Sequence, residues 1–425
     1  MMKAWWTAAI AATMLLVSGC QNGGHAQNST DMRALNAVTD AEALDVLVDD
    51  DVKVAALPLG TTSPFSEFDA GTRDLKVRSS TNSSILAEKS ISLGSGSTNT
   101  LVLLGKRGAM NTLLLADDTN TPSTGKFKIR AVGLSPDVGP VDLYITAGGV
   151  NDTVATVAGI AYGSTTDYTE VTPGTYRFYF TTAGTKDVVF QSPPQTFSEG
   201  AQLAAIVFPS GGGKLVNAVL LVQGTGGSGT YLTNPLGRMK SVNAIPDGGT
   251  LNFKADGATL LSNVPFAGSS SYVTTAAGAR VFTIEASNVP GAAIATKTQT
   301  IDPARDYTVL ALGTIASPQL NVLVDDNTLP NTGFAKLRFA NALAGQASVD
   351  ALVNFASQAS GIALGTASGY VQVAPDTNYT ITFSTEGGVN VIATIAPAEL
   401  DAGGVYTAYL VGTSGAPQAR LVRDR

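Results

Sequence analysis

The sequence predicts an all-β protein that consists of four tandem immunoglobulin-like antiparallel β-sandwich domains. One pattern of residues recurs four times at a period of about a hundred residues, which indicates tandem copies of one folding unit. Each copy holds about seven short apolar runs separated by Gly, Pro, Asn and Asp, as expected for a sandwich of two sheets. Both Trp residues precede the first copy and only one Cys is present, so "immunoglobulin-like" here describes architecture alone.

The copies share landmarks at constant spacing. A basic residue is followed twelve positions later by Asp or Asn: Arg33 and Asp45, Arg130 and Asp142, Lys240 and Asn252, Arg338 and Asp350. An aromatic residue comes later in each copy: Phe65, Tyr168, Tyr272 and Tyr370. Fixed positions of this kind predict a structural role in strand register or edge hydrogen bonding, rather than an ion pair within one hairpin.

Two kinds of strand are predicted. Residues 176–180 and 379–384 place apolar side chains at alternate positions, which is typical of an antiparallel strand with one buried face. Residues 101–104, 218–222 and 309–312 are apolar throughout. Such runs predict central strands that are covered on both faces.

The domain limits follow from the repeat. We expect a lipoprotein signal peptide at 1–19, a flexible tether at 20–31, and sandwich repeats at 32–118, 126–223, 237–326 and 335–425. The joints at 117–125, 224–237 and 325–333 are rich in Gly, Asn, Thr and Pro. Linkers this short are expected to limit, but not to abolish, swivelling between domains.

The N-terminal leader predicts where in the cell the protein is located. Lys3 precedes an apolar stretch that is too short for an ordinary membrane span, and residues 17–20 read Val-Ser-Gly-Cys. This ending resembles a bacterial lipobox, which predicts acylation of Cys20 and attachment to a membrane through the N-terminal lipid. Gln21 follows Cys20 where Asp would signal inner-membrane retention, so in a Gram-negative host we expect the outer membrane. The alternative is a plain signal peptide with an accidental Cys.

Three stretches resemble a known family. They are RAVGLSPDVGPVDLY at 130–144, GIALGTASGYVQVAP at 361–375 and GGVYTAYLVG at 403–412, and they are similar to the bacterial domain of unknown function 4397. The resemblance covers the second and fourth copies well and the others more loosely. It implies an exported protein, often lipid-anchored, and no established activity. Family members often have His where this chain has Asn36, Gly133, Asn243 and Asn341, so no role of that His carries over.

Composition excludes several classes of function. The chain has 26 Lys plus Arg against 33 Asp plus Glu and no basic run after the leader, so nucleic acid is not an expected partner. The one histidine, His25, lies in the predicted tether. A Ser-His-Asp or Cys-His catalytic arrangement and a His-rich metal site therefore cannot form inside a domain. We predict no catalytic residue and no cofactor.

Two glycine-rich segments mimic nucleotide-binding motifs. Residues 224–229 match a dinucleotide fingerprint, but Pro235 follows where the motif requires a helix, which indicates a linker. Residues 211–213 precede Lys214, but Leu215 stands where a P-loop needs Ser or Thr to bind magnesium. Neither segment therefore predicts a nucleotide.

Two binding hypotheses stay open beside structural alternatives. Asp117, Asp118, Asp325 and Asp326 lie at domain joints, where carboxylates from neighbouring domains can bind calcium; the alternative is that they solvate turns. Tyr168, Tyr272 and Tyr370 can line a sugar-binding face, or they can be core residues at a fixed place in the repeat.

We therefore expect a non-catalytic, lipid-anchored cell-envelope protein, monomeric, that serves as a modular spacer or a multivalent binding or adhesion module. The partner classes left open are an envelope protein and a glycan, bound through weak sites on tethered copies. The alternatives are a carbohydrate-active envelope hydrolase that uses carboxylates, and a calcium-stiffened adhesin.

Overall fold

The computed structural model describes residues 28–118 and 120–425, and these form the predicted all-β fold of tandem sandwiches. The leader, Cys20 and His25 lie outside the described residues. The first strand begins at Ser29, so residues 29–31 of the predicted tether belong to the first sandwich. Within the described part of the chain, no helix is long and apolar enough to cross a bilayer.

The first sandwich has eight strands: β1 (Ser29–Asn36), β2 (Leu44–Val48), β3 (Asp51–Leu57), β4 (Ser66–Asp69), β5 (Gly71–Ser79), β6 (Ile85–Leu93), β7 (Thr98–Lys106) and β8 (Ala109–Ala116). One sheet has the order β4-β1-β7-β8 and the other β3-β2-β5-β6. In each sandwich we call the sheet that contains the first strand the pairing sheet, and the other the outer sheet.

The second sandwich is enlarged. Its strands are β9 (Phe127–Gly133), β10 (Val141–Thr146), β11 (Val157–Ile160), β12 (Ser164–Thr165), β13 (Thr169–Val171), β14 (Gly174–Thr182), β15 (Val188–Gln191), β16 (Gln195–Phe197), β17 (Gln202–Pro209), β18 (Val216–Val222) and β19 (Gly229–Leu232). β19 extends the pairing sheet beyond β18. Pro193 and Pro194 separate β15 from β16, because proline cannot donate to the sheet.

The last two sandwiches repeat the topology of the first. The third contains β20 (Leu236–Asn243), β21 (Leu251–Ala255), β22 (Ala258–Val264), β23 (Val273–Ala276), β24 (Gly278–Ala286), β25 (Ala293–Ile301), β26 (Asp306–Thr314) and β27 (Ser317–Asp325). The fourth contains β28 (Ala335–Ala344), β29 (Ser348–Val353), β30 (Ala356–Ala363), β31 (Val371–Val373), β32 (Asp376–Ser384), β33 (Val391–Leu400), β34 (Val405–Thr413) and β35 (Ala416–Arg423).

The pairing sheets are mixed, whereas the sequence predicted purely antiparallel sheets. β1 runs parallel to β7, and the same parallel pair recurs as β9 with β17, β20 with β26, and β28 with β34. The parallel pair brings the beginning and the end of each repeat together. Each repeat therefore closes on itself as a folding unit.

The pairing sheets also stack on one another, first against second and third against fourth. Alternate residues of β7 show this: Leu101 and Leu103 lie in the core of the first sandwich, whereas Val102 and Leu104 lie in a second core shared with the second sandwich. β26 divides its side chains in the same way between the third sandwich and a core shared with the fourth. The prediction of strands covered on both faces is confirmed at 101–104 and 309–312.

This stacking corrects the expectation of swivelling domains. Leu35, Ile206 and Phe208 are fully buried between the first two sandwiches, and Leu310 and Ala340 are fully buried between the last two. Burying a large apolar side chain contributes roughly 1.5–3 kcal/mol. A shared core of this kind fixes each pair of sandwiches as one body, whatever the length of the linker.

Candidate functional site

The basic residue that opens each repeat is buried where two pairing sheets meet. Arg33 of the first sandwich donates to the carbonyl oxygens of Val222 and Gly227 in the second, at 2.7 Å each. Arg130 of the second sandwich donates in return to the carbonyl oxygen of Ala116 in the first, at 3.0 Å. The two cations thus cross the interface reciprocally.

Between the third and fourth sandwiches, the basic residue of each sandwich likewise contacts the other, but its partner is a carboxylate. Lys240 of the third forms an ion pair with Asp424 of the fourth, and Arg338 of the fourth forms one with Asp325 of the third. All four side chains are at most 2% exposed. Thr308 donates a further hydrogen bond to Asp325 at 2.7 Å. These contacts satisfy charges that would otherwise be costly to bury.

The repeated aromatic residues cover these cations. The ring centroids lie 4.6 Å from Arg33 for Phe65, 5.0 Å from Arg130 for Tyr168, 5.6 Å from Lys240 for Tyr272, and 4.9 Å from Arg338 for Tyr370. Arg238, two residues before Lys240, lies nearer to the Tyr272 ring, at 4.7 Å. Cations stack favourably on such faces. The structure therefore favours the structural alternative for Tyr168, Tyr272 and Tyr370, because ring faces occupied by guanidinium groups do not form a sugar-binding surface.

The Asp or Asn twelve residues later has a separate role at the edge of the outer sheet. Asp142 accepts hydrogen bonds from the backbone N–H groups of Gly159 and Gly184, at 2.7 and 2.9 Å. Asp350 does the same for Gly361 and Gly387, at 2.8 and 2.7 Å. The bonds to Gly159 and Gly361 lie beside bulges of the outer sheet, and those to Gly184 and Gly387 lie in the turns that follow β14 and β32. The predicted role in edge hydrogen bonding therefore fits the Asp, whereas the basic residue twelve positions earlier contacts the neighbouring sandwich instead.

The calcium candidates each contact a cation. Asp118 lies 2.5 Å from the Lys128 ammonium, and Asp326 lies 2.8 Å from Lys336. The hydrogen bond from Lys128 holds the pKa of Asp118 below its ordinary value. Asp117 lies 3.8 Å from the Arg33 guanidinium and accepts from the Gly224 backbone N–H at 2.8 Å, and Asp325 is bound by Arg338. Across residues 28–118 and 120–425, no cluster of three or more His, Cys, Asp or Glu is placed to hold a metal ion.

A large cleft separates the second sandwich from the pair formed by the third and fourth. Its volume is about 1260 Å³. Its walls include residues 136–139, 149–151 and 186–189 of the second sandwich, residues 269–274 of the third, and residues 423–425 of the fourth. Basic side chains from all three sandwiches line it: Lys186, Lys214, Arg238, Lys240, Arg423 and Arg425. The cleft therefore exists only in the assembled chain.

A glycine-rich turn at residues 211–213 immediately precedes Lys214, which lines the cleft. A Cβ atom on Gly212 would lie 2.4 Å from the carbonyl oxygen of Ala304, and one on Gly213 would lie 2.4 Å from Oδ2 of Asp306. Ser210 also donates to the carbonyl oxygen of Ala304 at 3.1 Å. Because only glycine permits this approach, the turn docks the second sandwich directly onto the third.

Lys214 follows that turn and lies half-buried in the cleft. Burial, together with the nearby positive charges of Arg238 and Arg425, lowers the pKa of its ammonium group below the ordinary value for lysine. Within the described part of the chain, the Lys214 side chain has no hydrogen-bond or ion-pair partner. A cation in this position offers its donors to whatever enters the cleft.

Arg238 forms a more rigid part of the wall. Its guanidinium group binds the Asp306 carboxylate through two hydrogen bonds, at 2.9 and 2.5 Å, and stacks on Tyr272. Asn327 donates to the same carboxylate at 2.9 Å. A bidentate pair supported on both sides holds its charge in one position.

The sequence predicts no binding site at this cleft. Residues 211–213 with Lys214 match only an incomplete P-loop pattern, and their contact partners Ala304 and Asp306 lie more than ninety positions away. The run of three glycines before a lysine was the available signal. Residues 224–229 connect β18 to β19 of the second sandwich and contact the first sandwich, because Gly227 accepts from Arg33 and Gly224 donates to Asp117. The expectation of a linker between the second and third copies was therefore wrong for this segment.

Comparisons with solved structures give low similarity. A structure described as α-glucan binding by a streptococcal virulence factor is 12% identical, covers 42% of this chain and 92% of its own, and has a TM-score of 0.17. The Bacillus anthracis TIE protein is 10% identical, with coverages of 90% and 67% and a TM-score of 0.16. A product complex of the multi-modular glycogen-degrading pneumococcal virulence factor SpuA is 10% identical, with coverages of 86% and 38% and a TM-score of 0.17. Similarities of this size carry no functional argument, and no curated protein matches the chain.

A family model gives a clear match. The domain of unknown function DUF4397 matches residues 30–144, 237–345 and 335–425. The first, third and fourth sandwiches are covered, whereas the second is matched only through β10. The residues 130–144 that carried the resemblance of the second copy lie within the first match, whereas the rest of the second sandwich, which includes its added strands, is not matched. Since the matches span most of the sequence, the chain belongs to the DUF4397 family.

Proposed function

We propose that this protein is a non-catalytic, lipid-anchored cell-envelope protein that binds its ligand in the cleft between the second sandwich and the third and fourth. The cleft carries the proposal, because it is large, lined by charged side chains and contributed to by three repeats. Ligand sites occur preferentially at domain interfaces of this kind. The lipobox-like sequence ending at Cys20 supports the anchor.

A single shared cleft is favoured over four equal sites. Among the residues that recur in every repeat, Arg33 and Arg338 are buried between stacked sheets and are not available to a ligand. Lys240 and Tyr272 lie at the wall of the cleft, but Asp424 pairs with the first and Arg238 covers the second. Multivalency based on these landmarks would require separating the sandwiches and exposing their shared cores. We therefore propose one binding site shared by several sandwiches, in place of the multivalent binding through weak sites on tethered copies that the sequence suggested.

The carboxylates of the cleft do not favour a hydrolase. Asp424 is held in an ion pair with Lys240, and Asp137 is 4% exposed and accepts a hydrogen bond from the backbone N–H of Leu329 at 3.3 Å. A glycosidase needs one carboxylic acid to donate a proton and a second carboxylate to act as base or nucleophile. Of the three acidic residues that line the cleft, only Asp187 is exposed. The cleft therefore lacks a second exposed carboxylate to work with it, which supports the non-catalytic proposal.

The anchor is tested by expressing the full chain and its Cys20→Ser variant in a bacterial host with radiolabelled palmitate. We expect the unchanged chain to carry label and to sediment with the envelope, and the variant to lose both. Equal sedimentation of both forms without label would overturn the anchor. Release of reducing ends from envelope glycans by the purified chain would overturn the non-catalytic part of the proposal.

A further inference from the structure

We infer that the cleft binds a glycan that carries carboxylate or phosphate groups, and that Lys214 contacts its anionic group directly. This inference rests on the proposed binding function and adds a ligand class to it. It follows from the position of Lys214, the charge of the walls, and the kind of side chains that surround them.

The position of Lys214 is set by the docked glycine turn. The backbone at Gly212 and Gly213 closely contacts Ala304 and the Asp306 carboxylate of the third sandwich. This contact fixes the position of the backbone at the next residue, Lys214. Lys214 then enters the cleft beside the guanidinium groups of Arg238 and Arg425. A side chain at a close domain contact is held in place better than one on a free loop.

The charge of the cleft is opposite to that of the whole protein. Six basic and three acidic side chains line the cleft, although the chain has a net charge of −7. Two of the basic residues already have buried acidic partners: Lys240 has Asp424, and Arg238 has Asp306. Lys214 has no such partner within residues 28–118 and 120–425, and its pKa is lowered by burial and by neighbouring positive charge. An anion bound beside Lys214 would offset both the burial of its charge and the repulsion from the neighbouring positive charges.

The remaining donors suit sugar hydroxyls. The walls include Asn151, Ser269, Ser271 and Thr274, whereas the Ser270 hydroxyl already donates to the carbonyl oxygen of Ser271. A volume of about 1260 Å³ exceeds the 300–1,000 Å³ that is usual for small-molecule sites, so several sugar units fit. Small-molecule sites are mostly apolar, whereas this lining is rich in polar side chains, as an extended hydrophilic ligand requires.

Nucleic acid is the other polyanion to consider, and the aromatic residues argue against it. Single-stranded nucleic acid is held by bases stacked on exposed rings. In this cleft the ring of Tyr272 is covered by Arg238, and Tyr179 is 7% exposed. The lining therefore offers cations and hydroxyl groups but no free aromatic platform.

The test measures binding of the full acylated chain, purified in detergent, to three fluorescein-labelled oligomers of equal length. They are polygalacturonate, which carries carboxylates, poly(glycerol phosphate), which carries phosphates, and neutral dextran. We expect at least one anionic oligomer to bind about tenfold more tightly than dextran, and less tightly as salt increases. Binding of only one anionic oligomer identifies which group is recognised.

Lys214→Gln is expected to weaken binding about tenfold, the effect of losing about 1.4 kcal/mol of interaction. Lys214→Arg keeps the charge and should retain binding within about threefold, which is about 0.65 kcal/mol. Lys89→Gln is the matched control, because Lys89 is an exposed lysine on β6 of the first sandwich and does not line the cleft. Circular dichroism melts establish that each variant is folded.

Three results would overturn the inference: dextran bound as tightly as both anionic oligomers, Lys214→Gln with unchanged affinity, or a single-stranded oligonucleotide that competes more strongly than either glycan. None of these results bears on the lipid anchor, which the Cys20→Ser experiment tests. A chain that is acylated and binds envelope material without using Lys214 would keep the proposed function and lose its anionic ligand.

Discussion

Lys240 in the third sandwich and Asp424 in the fourth form an ion pair that is almost completely removed from solvent, 184 positions apart in the sequence. Breaking a buried pair by removing one partner typically costs about 3–5 kcal/mol, because the other charge stays buried alone. We expect Lys240→Met to lower the free energy of unfolding by about this amount. Chemical denaturation of the full chain measures the loss.

Replacing both partners provides the control. In Lys240→Met combined with Asp424→Leu, no charge remains unpaired, so most of the stability should return. A double variant as unstable as the single one would show that the pair contributes through packing and hydrogen bonds rather than through charge compensation.

The turn between β29 and β30 carries a strained residue. Phe355 has a φ of +70° and is 82% exposed, and the equivalent turn of the third sandwich has Gly257 at +82°. A residue with a Cβ atom in this region costs roughly 1–2 kcal/mol. Phe355→Gly should therefore stabilise the fourth sandwich by about 1 kcal/mol, seen as a higher midpoint in thermal unfolding.

The reverse change is Gly257→Phe in the third sandwich. A Cβ atom there meets nothing within 4 Å, so backbone strain is the main expected effect and the midpoint should fall. If Phe355→Gly destabilises the chain instead, the exposed ring makes contacts that outweigh the strain.

Acid should weaken two hairpins. Asp256 accepts from the backbone N–H of Val281 at 2.9 Å and binds Arg280 at 2.8 Å, and Asp49 accepts in the same way from Asp74. The backbone hydrogen bond, followed by the arginine, lowers the pKa of Asp256 below its ordinary 3.8. The stabilisation is thus complete above pH 3.8 and is lost as the pH falls through the lower folded-state value.

Titration followed by NMR should place both carboxyl groups below that ordinary value. Asn354 occupies the same position in the fourth sandwich and binds the backbone N–H of Thr380 at 2.9 Å. Asp256→Asn should therefore keep the turn and remove its share of the acid sensitivity. An ordinary pKa for Asp256 would show that its contacts do not persist in solution.

Docking of the second sandwich onto the third depends on a residue without a side chain. Gly213→Ala would bring a Cβ atom to 2.4 Å from the Asp306 carboxylate. We expect the sandwiches to stay folded while hydrogen exchange at residues 304–306 becomes faster, because that contact opens. Gly249→Ala is the control: it also has a positive φ, but nothing lies within 4 Å of the added atom. Equal exchange in both variants would contradict a docking role for the turn.

The sequence alone determined the architecture. Four copies of one spacing predicted four equivalent sandwiches, and the apolar run at 101–104 predicted a strand covered on both faces, because alternation and turn chemistry are local properties of the chain. The same landmarks predicted structural roles for Asp142 and Asp350. The parallel pairing of the first strand of each repeat with a strand near its end was not predicted, because the residues of a strand do not reveal which distant strand it pairs with.

Only the tertiary structure decided what covers those strands and where a ligand can enter. Lys240 and Asp424, or Gly213 and Asp306, are brought together by docking between domains, and no periodicity within a repeat encodes a contact between repeats. The cleft is a property of that docking. A sequence pattern specifies how each sandwich folds, whereas the site requires the distances between sandwiches, which arise from packing of their surfaces.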